Sequence, residues 1–183
     1  MVADRRFRLP PLGKAPMLFA LVLGVLLPLG IAVGLVLTLR AEGARLWVVL
    51  GSQLAVMAIT LAVLLPMLRR EISFDDRRIR VKATWYTRAS EVGQFDLDQA
   101  RVLDLREHTA YKPAFKTNGL AVPGLQAGHF RLRNKAKAFC LVSDPGRVLL
   151  LPHTDGTLWL LSFESPRAVL SVLREARERL RGR

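Results

Sequence analysis

The chain divides into a strongly apolar first third and a polar remainder. Two runs, residues 17–39 and 46–68, contain no Asp, Glu, Lys, Arg or His, and each is 23 residues long. An α-helix of that length, rising about 1.5 Å per residue, covers the hydrocarbon core of a bilayer, which is about 30 Å thick. An amphipathic helix of a soluble protein would carry a polar face, and neither run has one. The pattern therefore predicts a transmembrane helical hairpin over residues 17–68.

After residue 69 the apolar positions alternate over short segments that are separated by turn residues. This pattern is typical of half-buried strands, and about seven are expected between residues 72 and 163. On the strand near residue 80 the alternation separates two faces. The face expected in the core carries Ile79, Val81, Ala83 and Trp85, and the opposite face carries Arg78, Arg80 and Lys82.

The last segment changes to a helical period. Ser165 is a good N-cap and Pro166 suits the first helical position. Apolar residues then recur at threes and fours, at Val169, Val172, Leu173, Ala176 and Leu180. The predicted fold class is α+β: a two-helix transmembrane hairpin followed, over residues 69–183, by a bent sheet or barrel that a C-terminal helix closes.

Charge predicts how the hairpin is oriented. The chain has a formal net charge of +13, and basic residues flank the pair of apolar runs on both outer sides, in residues 1–16 and 69–82. The connector, residues 40–45, has two arginines and one glutamate. Because cytoplasmic flanks collect Lys and Arg, both termini are expected in the cytoplasm. A cleaved signal peptide is not favoured, since its apolar region is typically 7–15 residues long.

The motifs of the polar segment resemble a bacterial pleckstrin-homology-like (PH-like) domain family. They comprise Leu97-Asp98-Gln99-Ala100-Arg101-Val102, Lys116-Thr117-Asn118-Gly119, Pro123-Gly124, the run Gly128-His129-Phe130-Arg131-Leu132-Arg133-Asn134, and Lys137-Ala138-Phe139. The strand at 148–152 and Leu160-Leu161-Ser162 before the Pro166 helix complete the resemblance, which covers roughly residues 70–176. It implies two near-orthogonal sheets capped by a helix, a location in the bacterial inner membrane, and no shared catalytic residues. Where the family often has Asn-Gly, this chain has Asn134-Lys135.

The sequence offers no candidate for catalysis, a cofactor or a metal. No nucleophile–base spacing, phosphate-binding glycine loop or paired-carboxylate motif stands out. Gly119, Gly124 and Gly128 are expected in a loop. The single cysteine, Cys140, lies between Phe139 and Leu141 and is expected to be a buried, inert thiol. We therefore expect a non-enzymatic protein.

Basic residues are the main candidates for a binding surface. They could contact anionic headgroups of the inner leaflet or a protein partner, or they could form only a solvated face. The candidates are Arg78, Arg80, Lys82, Arg131, Arg133, Lys135 and Lys137, with Lys112 and Lys116 nearby. Nucleic acid is not favoured, because Trp85 and Tyr86 do not make an interleaved stacking surface.

The expected function is a membrane-anchored PH-like module for protein docking, self-assembly or inner-leaflet contact. The alternative is an accessory structural subunit of a membrane enzyme or transport complex. In the first apolar run, the Gly30-x-x-x-Gly34 pair allows close helix packing, with the second helix of the hairpin as the default partner.

Overall fold

The structure is a computed structural model that describes residues 5–39, 43–75 and 77–181. The chain forms two compact units, Gly13–Leu68 and a domain that combines Met1–Leu12 with Arg69–Arg183. The connector residues 40–42, and Asp76 in the polar segment, lie outside the described residues.

The apolar unit contains two helical segments that are long and apolar enough to cross a membrane, Lys14–Thr38 and Arg45–Leu64. The first consists of α1 (Lys14–Leu21), a π-helical segment (Val22–Leu26) and α2 (Leu27–Leu39). The second consists of α3 (Ala44–Leu64) and a 3₁₀ segment (Leu65–Leu68). Their large apolar side chains are mostly exposed, unlike those of a core helix in a soluble protein.

The first helical segment changes its hydrogen-bond spacing just before Pro28. The N–H of Leu27 donates to the carbonyl oxygen of Val22, five residues back. Proline has no N–H to continue the α-helical ladder, and a π-helical turn is one way in which a helix accommodates that interruption. The irregularity therefore lies over the turn that precedes Pro28.

Close packing between the two apolar helices occurs at Gly24. A Cβ added there would lie 3.0 Å from Cδ2 of Leu61. A Cβ added at Gly30 or Gly34 would meet no atom within 4 Å. This corrects the default expectation that the Gly30–Gly34 pair packs against the second helix, because these two glycines lie on a face of the helix that is open within this unit.

The first sheet of the domain includes a strand from the N-terminal flank. It has the order β1-β2-β3-β4, and all its pairs are antiparallel. The strands are β1 (Arg5–Phe7), β2 (Arg70–Asp75), β3 (Arg78–Ala83) and β4 (Tyr86–Glu91). Residues 1–16 were expected to lie outside the domain, but β1 pairs with β2 in register Phe7↔Ile72. The domain is therefore assembled from the chain segments that precede and follow the apolar unit in the sequence.

Strands β3 and β4 form a hairpin with the two-residue turn Thr84-Trp85. The prediction that Trp85 continues the buried face of β3 is wrong, since its side chain is 63% exposed at the tip of the hairpin. The strand ends one step earlier because Ala83 pairs directly with Tyr86. Ile79, Val81 and Ala83 are buried as predicted.

The second sheet has the order β5-β9-β10-β8-β7-β6. Its strands are β5 (Arg101–Leu103), β6 (Pro113–Val122), β7 (Leu125–Leu132), β8 (Lys137–Val142), β9 (Val148–Pro152) and β10 (Leu158–Ser162). β8 and β10 are parallel and the other pairs are antiparallel. The described residues thus form ten strands, where the sequence predicted about seven.

β4 crosses the second sheet instead of running alongside one of its strands. The Tyr86 hydroxyl donates to Asn118 Oδ1 of β6 at 2.8 Å. Two residues on, the Arg88 guanidinium lies over Phe139 of β8 and Trp159 of β10. Ser90 then contacts His153, next to the end of β9. Successive residues of β4 thus contact successive strands of the second sheet. Tyr86, the first residue of β4, lies at the β6 edge.

Two facing glycines make room for Tyr86 at that edge. Gly119 and Gly128 were expected in a loop, but they pair directly across β6 and β7. Gly128 has a φ of +110°, and a Cβ there would lie 2.6 Å from Cα of Gly119 and 3.1 Å from Cδ2 of Tyr86. Only glycine fits both the backbone conformation and this approach.

The C-terminal helix α4 (Pro166–Arg181) packs against the domain core as predicted. Val169, Leu170, Leu173 and Ala176 are buried, and Leu173 is fully so. On its outer side the Arg177 guanidinium binds the Asp98 carboxylate at 2.7 Å. The predicted cap residue Ser165 accepts the Val169 N–H through its backbone carbonyl, whereas no side-chain cap is seen.

Candidate functional site

Six cations lie together on β6, β7, β8 and the adjoining loops. We call them the basic surface, and they are Lys112, Lys116, Arg131, Arg133, Lys135 and Lys137. All except the half-buried Lys112 are exposed. Within the described residues, none of the six forms an ion pair with a carboxylate. The surface therefore has a concentrated, uncompensated positive charge.

The backbone brings five of the six cations, all except Lys116, into proximity. Arg131 and Lys137 are direct partners across β7 and β8. The Arg133 N–H donates to the Lys112 carbonyl at 3.0 Å, and Arg131 Nη1 donates to the Lys135 carbonyl at 3.3 Å. Like charges directly opposite each other in a sheet destabilise it. Such an arrangement becomes favourable when an external anion is bound.

The basic face of β3 differs from this surface. Arg78 pairs with Glu91 at 3.0 Å, and Lys82 pairs with Glu71 at 3.0 Å. The hydrogen bond from Lys82, together with the nearby Arg6, lowers the pKa of Glu71. Arg80 is exposed between them. Of the two groups predicted from sequence, the structure thus leaves the one on β7 and β8 free, while the β3 group is largely neutralised.

An exposed aromatic ring and an open strand edge adjoin the basic surface. The Phe115 side chain is 72% exposed, and Phe115 pairs with Arg131 across β6 and β7. β6 is the last strand of its sheet, and irregularities at Pro113/Phe115 and Lys116/Asn118 interrupt its register. Bulges and lysines are common protections of an edge strand against pairing with another chain. The edge is thus suited to a contact through side chains rather than to strand addition.

A cleft of about 370 Å³ continues the basic surface inward. Leu105, Val122, Leu125 and Val142 provide apolar walls, and Lys112 and Arg133 also line the cleft. The cleft thus combines apolar walls with two cationic side chains.

A chain of Ser–His–Asp contacts was not foreseen from the sequence. His153 Nε2 lies 2.7 Å from Ser90 Oγ, and His153 Nδ1 accepts the Asp155 N–H at 3.1 Å, with Asp155 Oδ1 2.9 Å away. This order of groups is also that of serine hydrolases. Ser90 and His153 are 63 residues apart, so their separation in sequence gave no signal.

The surroundings of Ser90 indicate a structural role for this chain. Ser90 is only 6% exposed, and its hydroxyl also lies 2.7 Å from Gln94 Oε1. The His153 ring is enclosed by Phe95 and Trp159. A nucleophile must reach a substrate carbonyl carbon, and this oxygen is held between two side chains inside the domain. The hydrogen bonds instead fix the end of β4 to the turn before β10.

A second polar contact, between Arg88 and Asp155, lies beside these groups. Burial raises the pKa of Asp155, but hydrogen bonds from the Thr157 hydroxyl and amide, with His153 nearby, outweigh that effect and lower the pKa to about 2. The ionised Asp155 accepts from Arg88 Nη2 at 2.8 Å. The Arg88 guanidinium lies 5.1 Å from the centre of the Trp159 ring. This cation is therefore satisfied within the domain and belongs to its core packing.

The part of the chain that the structure describes contains neither a candidate metal site nor an exposed thiol. No group of three His, Cys, Asp or Glu side chains there could hold a metal ion. Cys140 is buried, and burial raises the pKa of its thiol. Cys140 is thus buried as predicted.

No family model, curated protein or solved structure matches the chain. The fold and the basic surface are therefore the basis for a functional assignment.

Proposed function

We propose that this protein is a non-enzymatic, membrane-anchored PH-like module whose basic surface contacts the anionic inner leaflet of a bacterial cell membrane. The single observation that carries the proposal is the cluster of six cations without carboxylate partners in the described residues. Near an anionic leaflet each such cation contributes about 1 kcal/mol of attraction.

The strand pairing supports a membrane hairpin. Both apolar helices lie between β1 and β2, which are hydrogen-bonded to each other. Arg70 Nη1 also donates to the Pro10 carbonyl at 3.3 Å. A chain that leaves the domain at residue 12 and returns at residue 69 must cross a bilayer an even number of times. Cleavage after the first helix would separate β1 from its sheet, which favours an uncleaved span.

The domain architecture supports the PH-like assignment. The first sheet crosses the second through β4, and a C-terminal helix packs on the core, in keeping with the two sheets and capping helix that the resemblance implies. The quoted motifs lie at structurally demanding points. Asn118-Gly119 faces Gly128-His129, Pro123-Gly124 is the turn between β6 and β7, and Lys135 has a φ of +67° in the turn between β7 and β8.

The position of the β6 edge supports contact with the leaflet. Tyr86 lies one residue from the β3–β4 tip, and the tip residue Thr84 donates its N–H to the Arg69 carbonyl at 2.9 Å. Tyr86 in turn contacts β6 through Asn118. The exposed edge that carries Phe115 and Lys116 is therefore linked through these contacts to Arg69, the residue that follows the second apolar segment.

The test uses residues 1–12 joined by a short Gly-Ser linker to residues 69–183, here called the linked domain. It is expected to bind vesicles of phosphatidylcholine with phosphatidylglycerol, and to be released as salt screens the attraction. Changing Arg131, Arg133 and Lys137 to Gln should weaken binding by about 3 kcal/mol, or about 100-fold, in a co-sedimentation assay.

The matched control changes Arg78, Arg80 and Lys82 to Gln, which removes the same charge. Because Arg78 and Lys82 are already paired with carboxylates, the loss of affinity should be much smaller. An equal loss from both triple variants would indicate only a general charge effect. An absence of binding at low salt would overturn lipid contact and favour docking of a protein.

A second candidate function is that of an accessory subunit in a membrane complex. The observation in its favour is the open face at Gly30 and Gly34, where an added Cβ meets no atom within 4 Å. Small residues of this kind let a second membrane helix approach closely. Purification in native nanodiscs distinguishes the two: a stoichiometric membrane protein in the preparation would favour the subunit role.

A further inference from the structure

The tip of the β3–β4 hairpin carries an exposed tryptophan whose side chain is not part of the domain core. Trp85 is 63% exposed, whereas Trp159 is completely buried in the core of the same domain. Its sequence neighbours are engaged: Thr84 is 9% exposed, and Tyr86 packs edge-on against His129. Most of the indole surface is therefore free for a contact outside the domain core.

The turn holds this side chain in one place. Thr84 has a φ of +57°, a conformation that is costly for a β-branched residue. Its N–H donates to the carbonyl of Arg69 at 2.9 Å, and Arg70 pairs with Ala83. The tip is therefore fastened to the beginning of β2 and cannot swing away independently of it.

Arg69 directly follows Leu68, the last residue of the second apolar segment. One residue of extended chain spans at most about 3.6 Å, while the headgroup layer adds about 5–7 Å on each side of the hydrocarbon core. If the second helix lies in a bilayer, the headgroups are therefore within reach of Thr84, which is hydrogen-bonded to Arg69. The Arg69 side chain is itself exposed.

We infer that the β3–β4 tip inserts the indole of Trp85 into the headgroup region of the inner leaflet, beside the exit of the second apolar helix. Tryptophan is enriched at this depth because it combines a large apolar ring with one N–H donor. The inference rests on the proposed membrane crossing, and it adds a fixed, uncharged contact to the electrostatic one. It sets the orientation of the domain on the membrane.

The test measures tryptophan fluorescence of the full chain in phosphatidylcholine vesicles. Comparison with Trp85→Phe isolates the emission of Trp85, and comparison with Trp47→Phe isolates that of the tryptophan in α3. Lipids brominated near the top of the acyl chain should quench most of the Trp85 emission, and that emission should be blue-shifted relative to indole in water. No anionic lipid is required, since the chain connection holds the tip in place. Circular dichroism verifies that each variant is folded.

The outcomes separate this inference from the proposed function. Quenching of Trp47 without quenching of Trp85, together with full access of Trp85 to aqueous iodide, would overturn the inference and leave the membrane hairpin intact. Failure to quench Trp47 would overturn the membrane crossing and the inference with it. Loss of the Trp85 quenching in the Arg131, Arg133 and Lys137 triple Gln variant would show that charge, and not the chain connection, positions the tip, and would also overturn the inference.

Discussion

Leu173→Ala is expected to destabilise the linked domain by about 3–4 kcal/mol. Leu173 is completely buried in α4, and Val169 and Ala176 on the same face are also buried. Truncation leaves a cavity that the surrounding strands can fill only in part. The loss should be visible in urea denaturation as a lower midpoint with an unchanged slope.

The control for this change is Glu178→Ala, an exposed position on the same helix. It should alter stability by less than about 0.5 kcal/mol. Deleting residues 165–183 should abolish the cooperative transition altogether, because the buried face of α4 covers the core. A loss below about 1 kcal/mol for Leu173→Ala would contradict the role of α4 as part of the core.

Removing residues 1–12 from the linked domain is expected to cost at least about 2 kcal/mol. Phe7 stacks on Phe74, with ring centres 6.0 Å apart, and meets Phe163 edge-on at 5.7 Å. Three residues of strand pairing with β2 are lost at the same time. Residues 69–183 alone should therefore have a lower melting temperature than the linked domain, in contrast to the sequence-based expectation that they form the complete domain.

Two single changes separate side-chain packing from charge on this strand. Phe7→Ala should account for most of the loss, whereas Arg6→Ala should cost less than about 1 kcal/mol. The Arg6 side chain is 75% exposed and pairs with Glu71 at the surface. Equal melting temperatures for the linked domain and residues 69–183 would show that β1 does not contribute to the fold.

Strong periodicity identified the parts of the fold that bury a continuous apolar face. The two apolar helices, the alternation of β3 up to Ala83 and the buried face of α4 all lie where the sequence predicted them. In each case the number of apolar residues on one face exceeds what a surface segment would contain. The hydrophobic pattern alone was therefore sufficient there.

The missed strands have little or no such pattern. β4 buries only Ser90, and β6 is exposed over its middle because it lies at the sheet edge. β1 is three residues long and pairs with a strand more than 60 residues away. Trp85 was misplaced because alternation cannot indicate where a strand stops and a two-residue turn begins. These features depend on tertiary pairing.

The candidate site was predictable only in part for a related reason. The sequence contains both basic groups as candidates, but nothing in it distinguishes one from the other. The two groups differ in whether carboxylates lie opposite them. Strand register places Glu71 opposite Lys82 and Glu91 opposite Arg78 on β3. The cations on β7 and β8 have no such partner in the described part of the domain. The Ser90–His153 contact likewise depends on how β4 crosses the second sheet.

The most direct test of the proposed membrane arrangement determines on which side of the membrane the connector and the domain lie. Gly43→Cys places a thiol in the connector, where an added Cβ meets no atom within 4 Å, although its φ of +55° adds about 1–2 kcal/mol of strain. Lys135→Cys places one on the exposed turn of the domain. The native Cys140 is buried and should not react. In intact bacterial cells, a membrane-impermeant thiol reagent should label Gly43→Cys, and it should label Lys135→Cys only after the membrane is permeabilised. Labelling of Lys135→Cys in intact cells, with protection of Gly43→Cys, would contradict a domain held at the inner leaflet.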